Sequence, residues 1–140
     1  MNSYGLIDLH CDTLAEYWKY AHTGNPDTLD DPGRVLSLSN MPKDVHWAQF
    51  YAVFIPDEER GQAAIDYFEK NRANFYRQME KFGDRVAPCR NADDMEKAWA
   101  AGKTAAFLTI ENGSALAGDL SRVHTLAEQG VRAITLTWNG

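Results

Sequence analysis

The sequence predicts an α/β fold, namely the amino-terminal half, about four βα units, of a (β/α)8 TIM barrel. Short apolar runs alternate with longer helical patterns along the chain, an order typical of parallel strands joined by right-handed helical crossovers. The runs are apolar almost throughout, as in strands that are buried on both faces. Polar residues that can bind metal directly follow two of these runs, which is where a barrel carries its functional residues.

The length of the chain limits how much of a barrel it can form. The 140 residues suit one domain, residues 1–140, whereas a complete barrel typically needs about 250 residues. Four units leave two open strand edges, so we expect the natural protein to continue beyond Gly140. A four-stranded flavodoxin-like sheet is the alternative for this length, but the chain contains no glycine-rich phosphate loop behind a strand.

The composition excludes several classes of function. The net charge is -6, with 14 basic residues scattered among 20 acidic ones, whereas a nucleic-acid surface needs clustered Lys and Arg. No basic segment followed by a long apolar stretch begins the chain, and no run reaches the roughly 18 apolar residues of a membrane span. We therefore expect a cytoplasmic protein that binds neither nucleic acid nor membrane, with Cys11 and Cys89 as free thiols.

The first strand is predicted at residues 5–9, and residues 13–21 that follow it have helix-forming composition. Residues 22–40 are rich in Gly, Pro, Asp and Ser and predict a long irregular loop. Loops of this length often form the wall of a binding pocket, and a surface insertion is the equal alternative. The second strand, residues 47–55, is rich in aromatic and β-branched residues and ends at Pro56.

Residues 57–82 predict a long amphipathic helix that ends at Gly83. A short accessory strand follows at 86–89, and Asn91 caps a second helix that ends at Gly102. The stripe of apolar residues on the long helix is predicted to lie on the sheet; it comprises Ile65, Phe68, Phe75, Tyr76, Met79 and Phe82.

The third major strand, residues 104–110, brings Glu111 to its carboxyl end. A further helix ends at Gly130, and the fourth major strand, residues 131–137, leads directly into Trp138. The predicted apolar face of that helix consists of Leu120, Val123, Leu126 and Ala127.

His10 and Asp12 follow the first strand, and Glu111 follows the third. Alternate residues of a strand point to the same side, so His10 and Asp12 can converge on one cation while Cys11 points away. The carboxyl ends of parallel strands share one rim, which brings Glu111 near them. One imidazole and two carboxylates suit a divalent metal such as zinc. The alternative for Glu111 is a helix-capping or surface carboxylate.

Four ordered segments make the chain recognisable: LHCDTL at 9–14, QFYAVF at 49–54, IENG at 110–113 and LTWN at 136–139. They resemble, in order and spacing, motifs of the renal (membrane) dipeptidase family, peptidase family M19, of the amidohydrolase superfamily. The resemblance extends over nearly all 140 residues and covers the amino-terminal half of that family.

The resemblance implies a barrel that binds two zinc ions and hydrolyses dipeptides through a metal-bridging hydroxide. It implies that His10 and Asp12 bind one zinc ion and that Glu111 bridges both. The family's other histidine ligands and the aspartate that transfers the proton come from later strands, so the catalytic acid/base is expected beyond Gly140. The isolated 140-residue chain is therefore expected to be inactive.

The resemblance also implies that Phe54, Trp138 and Asn139 contact the substrate. Animal members commonly have His at the position of Trp138 and often Tyr at that of Phe54. An indole donates a hydrogen bond but cannot change its charge near neutral pH as His can. Two alternatives follow: a hydrolase of another small amide, and a non-catalytic half-barrel that forms a homodimer through its open edges.

Overall fold

The computed structural model describes residues 4–14 and 28–138. One sheet of parallel strands contains β1 (Gly5–Cys11), β2 (His46–Phe54), β3 (Val86–Pro88), β4 (Thr104–Glu111) and β5 (Val131–Thr135). The order across the sheet is β1, β2, β4; the second edge of β4 pairs with β3 at its amino-terminal end and with β5 at its carboxyl-terminal end. The predicted succession of four major strands and one accessory strand is confirmed.

Within the described residues, three α-helices connect the strands: α1 (Gln62–Lys81), α2 (Ala92–Ala100) and α3 (Arg122–Glu128). Helix α1 begins later than predicted, because Gly61 has a φ of 55° and so interrupts the helical backbone. Asn91 caps α2 as predicted, and its side-chain oxygen accepts from the amide of Asp94 at 2.8 Å. The helix predicted at 13–21 lies almost entirely outside the described residues. None of the helices in the described ranges is both long and apolar enough to cross a membrane.

The sheet has two faces with different partners. On the face that we call the outer face, Tyr51 and Val53 of β2 and Leu108 and Ile110 of β4 are buried in the main core. Helix α1 covers this face through part of its predicted stripe, and α3 adds one residue; their buried apolar side chains are Ala64, Phe68, Phe75, Met79 and Leu126. This arrangement, with helices outside parallel strands, is that of a barrel wall.

The opposite, inner face carries Ala48, Phe50, Ala52 and Phe54 of β2 and, in register with them, Ala105, Phe107, Thr109 and Glu111 of β4. Helix α2 packs on the amino-terminal half of this face, against Ala48 and Ala105. The rings of Phe50 and Phe107 stack with centroids 4.6 Å apart in the middle of the face. The carboxyl ends of the strands, where Glu111 lies, are left uncovered by α2.

The Trp99 side chain fixes α2 to the strand beginnings. Its Nε1 donates to the carbonyl oxygen of Trp47 at 2.9 Å. Its six-membered ring lies so close to Gly5 that a β-carbon there would approach to 3.1 Å. Gly5 therefore allows the indole to lie directly on the backbone of β1.

The predicted apolar face of α3 is only partly correct. Leu126 is fully buried, but the side chains of Leu120 and Val123 are 78% and 45% exposed. Leu120 precedes the helix, and the seven-residue α3 has Leu126 as its one buried residue. The strands also differ at their ends: β1 continues through His10 and Cys11, and β5 stops at Thr135 rather than at residue 137.

Candidate metal centre

A β-bulge in β1 decides which way the end of this strand faces. Asp8 is opposite Gln49 and Cys11 is opposite Tyr51, so β1 uses one more residue than β2 over this stretch. The Asp8 carboxylate accepts from the amide of His10 at 3.1 Å and closes the bulge. The extra residue reverses the alternation: Cys11 enters the outer core with Tyr51, while His10 and Asp12 point to the inner face.

The inner face brings His10, Asp12 and Glu111 together. His10 Nε2 lies 3.5 Å from Asp12 Oδ1 and 3.3 Å from Glu111 Oε2. The side chains are 46%, 61% and 18% exposed, in that order. Within the described ranges, these three form the one group of at least three His, Cys, Asp or Glu whose ligand atoms lie within 4.8 Å of one another.

The donor atoms of this cluster match the chemistry of a divalent metal. An imidazole nitrogen and carboxylate oxygens are ligands that zinc accepts, and three protein ligands with solvent access are typical of catalytic sites. Cys11 is excluded from the group by its direction, since its sulfur is buried in the outer core. Burial raises the pKa of its thiol to about 11, so it is protonated at neutral pH.

Glu111 is held at the end of β4 by contacts that the sequence did not indicate. Its carbonyl oxygen accepts from the amide of Ile55 at 2.9 Å. The next residue, Asn112, has a φ of 72°, and its buried side chain bonds to the chain that follows β2. Gly113 donates its amide to the carbonyl of Leu136 at 3.1 Å. The Asn-Gly pair after an apolar strand was the available signal, because both residues favour irregular backbone.

Two of the predicted substrate-contacting residues reach the same rim. Phe54 is opposite Glu111 in the sheet, and its ring meets that of Trp138 edge to face with centroids 4.9 Å apart. Trp138 is half-exposed. Asn139 lies outside the described residues. Phe54 and Trp138 thus form an apolar edge beside the carboxylate.

A cavity of about 440 Å³ adjoins the cluster at Asp12. One wall is the end of β1, and the other is part of the predicted irregular loop, including Arg34 and Val35. Thr13 ties the two walls together, because its hydroxyl donates to the carbonyl of Leu36 at 2.7 Å. A larger cavity of about 700 Å³ lies at the opposite, amino-terminal ends of β2 and β4 and contains no residue of the cluster.

Solved structures share this fold. A metallopeptidase of family M19, dipeptidase AC, superposes with a TM-score of 0.79 at 19% identity, and the alignment covers 98% of this chain and 44% of that one. A metallopeptidase from Rhodobacter sphaeroides, liganded with a phosphinate mimic of the dipeptide L-Ala-D-Ala, superposes with a TM-score of 0.79 at 17% identity. The alignment covers 98% of this chain and 46% of that one. The probable dipeptidase PvdM from Pseudomonas aeruginosa superposes with a TM-score of 0.75 at 20% identity, and the alignment covers 96% of this chain and 34% of that one.

The chain therefore spans less than half the length of these three structures, and its fold is that of the amino-terminal half of a TIM barrel. The family model for membrane dipeptidases matches residues 1–140, the whole chain. The chain belongs to the membrane dipeptidase family, peptidase family M19.

Proposed function

We propose that the complete protein is a zinc-dependent dipeptidase and that His10, Asp12 and Glu111 belong to its metal site. The observation that carries this proposal is the convergence of the three side chains at the rim of a barrel wall, in a chain of a metallopeptidase family. The neighbour liganded with a mimic of L-Ala-D-Ala supports a dipeptide as substrate.

His10 and Asp12 would hold one zinc ion, and Glu111 would bridge to a second. A bound zinc pair supplies Lewis-acid polarisation of the scissile carbonyl and activates water at neutral pH. The bulge and the Asp8 carboxylate keep the His10 imidazole on the inner face. The partly exposed carboxylate of Glu111 remains open to a ligand from solvent.

The described residues also provide surfaces for the substrate. Phe54 and Trp138 would pack against an apolar side chain and keep water from the reacting carbonyl, and the indole N–H of Trp138 would donate to a substrate oxygen. The cavity beside Asp12 is large enough for a small peptide. The group that transfers the proton to the leaving amine would come from a later strand of the complete barrel.

The domain assignment is part of the same proposal. Residues 1–140 would form one half of a single barrel, whose other half covers the free edges of β1 and β5. The large apolar side chains left exposed at these edges support it; they include Ile7, Leu9, Leu136 and Trp138. The cytoplasmic location stays a prediction.

The decisive test is metal content and hydrolysis in the full-length protein. We expect about two zinc ions per chain by elemental analysis, and turnover of simple dipeptides. Glu111→Gln should reduce both zinc affinity and turnover by more than about 100-fold, because a neutral amide cannot replace a bridging carboxylate. Glu58→Gln, which removes an exposed carboxylate on the segment after β2, should change neither. A well-folded full-length protein without bound zinc would refute the proposal.

A second candidate function is hydrolysis of another small amide, which Phe54 and Trp138 favour because they form an apolar edge at this position. Parallel assays on dipeptides and on N-acyl amino acids, at equal metal loading, distinguish the two. Dipeptide turnover at least ten times higher supports the dipeptidase, and the opposite ratio supports the alternative.

A further inference from the structure

We infer that Asn112 is a positioning residue for the Glu111 carboxylate, and that its hydrogen bond to Asp57 sets the affinity of the metal site. This inference rests on the proposed function, since it assumes that Glu111 binds metal. Asn112 touches neither His10 nor Asp12 in any of the contacts described, so it would act through Glu111.

The backbone of Asn112 is constrained to an uncommon conformation. Its φ of 72° lies on the left-handed side of backbone space, and its ψ of 109° places it outside the αL region. This combination is disfavoured for a residue with a side chain. This turn comes immediately after Glu111, the last residue of β4. The direction in which the chain leaves the strand is therefore fixed directly beside the candidate ligand.

The side chain of Asn112 uses its whole hydrogen-bonding capacity while it is 5% exposed. Its Nδ2 donates to the carbonyl of Ile55 at 2.8 Å and to Asp57 Oδ1 at 3.0 Å. Its Oδ1 accepts from the hydroxyl of Ser114 at 2.8 Å and from the Ser114 amide at 3.3 Å. One side chain thus ties the end of β4 to the segment that follows β2.

These bonds fix the backbone of Glu111 and the side chain of Asn112 to one residue of the neighbouring chain. The amide of Ile55 donates to the carbonyl of Glu111, and the carbonyl of Ile55 accepts from Asn112, so one residue of the neighbouring chain is bonded to two successive residues of the rim. Asp57 is itself fixed by Arg60, whose Nη2 lies 3.4 Å from Asp57 Oδ1. Partners that orient a ligand typically change metal affinity by 10- to 100-fold when they are removed.

The test compares zinc affinities of full-length variants by competition with a chromophoric chelator. Asn112→Gly keeps the left-handed turn and removes the side-chain bonds, while Asn112→Asp places a second carboxylate against Asp57. We expect both to bind zinc about 10- to 100-fold more weakly than the wild type. The double variant Asn112→Asp/Asp57→Asn restores a hydrogen bond between residues 112 and 57 but not the bond to the Ile55 carbonyl, so it should recover part of the zinc affinity that Asn112→Asp loses.

A loss of general stability is distinguished by Asn91→Ala, which removes the cap of α2 at a distance from the rim. This variant should unfold more easily but bind zinc as the wild type does. If the Asn112 variants are destabilised and still bind zinc normally, or if the double variant recovers nothing, the inference is wrong while the proposed function stands. If the wild type binds no zinc, both fail.

Discussion

Asp30 and Arg85 form a two-point ion pair between the segment before β2 and the residue that precedes β3. The guanidinium donates to the two carboxylate oxygens at 2.9 and 2.7 Å. This hydrogen bonding lowers the pKa of Asp30 below its usual value of 3.8. The pair helps to hold the segment whose continuation, from Asp31 to Leu36, forms a wall of the cavity beside Asp12.

The lowered pKa of Asp30 predicts a pH-dependent contribution to stability. A carboxylate with a lower pKa in the folded state stabilises the fold above its unfolded pKa, and the effect is lost as pH falls through the folded value. Both side chains are partly exposed, so the contribution is under about 1 kcal/mol. In urea titrations, the difference in unfolding free energy between the wild type and Asp30→Asn should be constant above pH 5 and vanish as pH falls well below 3.8, roughly to pH 2.

Asp44→Asn provides the control for this titration, because Asp44 is an exposed carboxylate that lines the larger cavity with Arg85. The difference in unfolding free energy between Asp44→Asn and the wild type should be small at every pH. If the difference in unfolding free energy between Asp30→Asn and the wild type does not change between pH 6 and pH 2, the ion pair contributes nothing to stability.

The residue spacing predicted that His10 and Asp12 face the same side, and the structure brings them together with Glu111; their role as ligands stays a prediction. The spacing could not predict which side they face. Continued alternation from Asp8 would have placed His10 on the outer face, and only the bulge places it on the inner face. A bulge depends on the pairing of two strands distant in sequence, which a local pattern does not contain.

Among the elements, the ends of β4 and β5 depend on the small size of Gly113. A β-carbon at this position would lie 3.0 Å from the carbonyl oxygen of Leu136, the same atom that accepts the Gly113 amide. Gly113→Ala should therefore separate the two strand ends and lower the unfolding free energy by about 1 to 3 kcal/mol. Zinc affinity should fall as well, because the movement lies beside Glu111.

Gly118→Ala is the matched control for this substitution. Gly118 has a φ of 77° and nothing within 4 Å of an added β-carbon. Gly118→Ala should therefore lower the unfolding free energy by about 1 kcal/mol through backbone strain alone. Chemical denaturation and chelator competition on both variants give the comparison. Equal zinc affinity for the two variants would mean that the contact with Leu136 does not support the site.

The elements were predictable where the pattern of apolar residues was long and regular. The four major strands and α1 follow from apolar runs and a helical stripe, and tertiary contacts only shift their ends. The expected burial on both faces is wrong for β1 and β5, which are mostly exposed. Helix α3 was less predictable, since Val123 lies on the expected face yet is exposed. Which residues a two-turn helix buries depends on where the helix lies on the sheet, and its own sequence does not specify this.

At the scale of the whole molecule, the exposed edges predict how the 140-residue chain behaves in isolation. Leu9 and Ile7 on β1 and Leu136 beyond β5 are all more than half exposed, and open apolar strand edges promote association. Sedimentation velocity should show that the mean mass of the isolated chain rises with concentration. Leu9→Lys should reduce this association, whereas Val35→Lys, at an exposed loop position, should not.

A discrete, concentration-independent dimer would instead support the alternative of a self-contained half-barrel. A monomer at all concentrations would contradict both expectations. The length of the matched structures agrees with the first expectation, since this chain covers 44% and 46% of two of them.

The position of α2 limits how small molecules can reach the inner face. The helix covers the amino-terminal half of the inner face, and Trp99 lies directly on the backbone of Gly5. Among the described residues, the amino-terminal end of the inner face is therefore covered, and its carboxyl-terminal end is not. A small molecule bound at the uncovered end of the inner face would therefore lie beside the rings of Phe54 and Trp138. Enlarging or trimming either ring should change the binding of such a molecule.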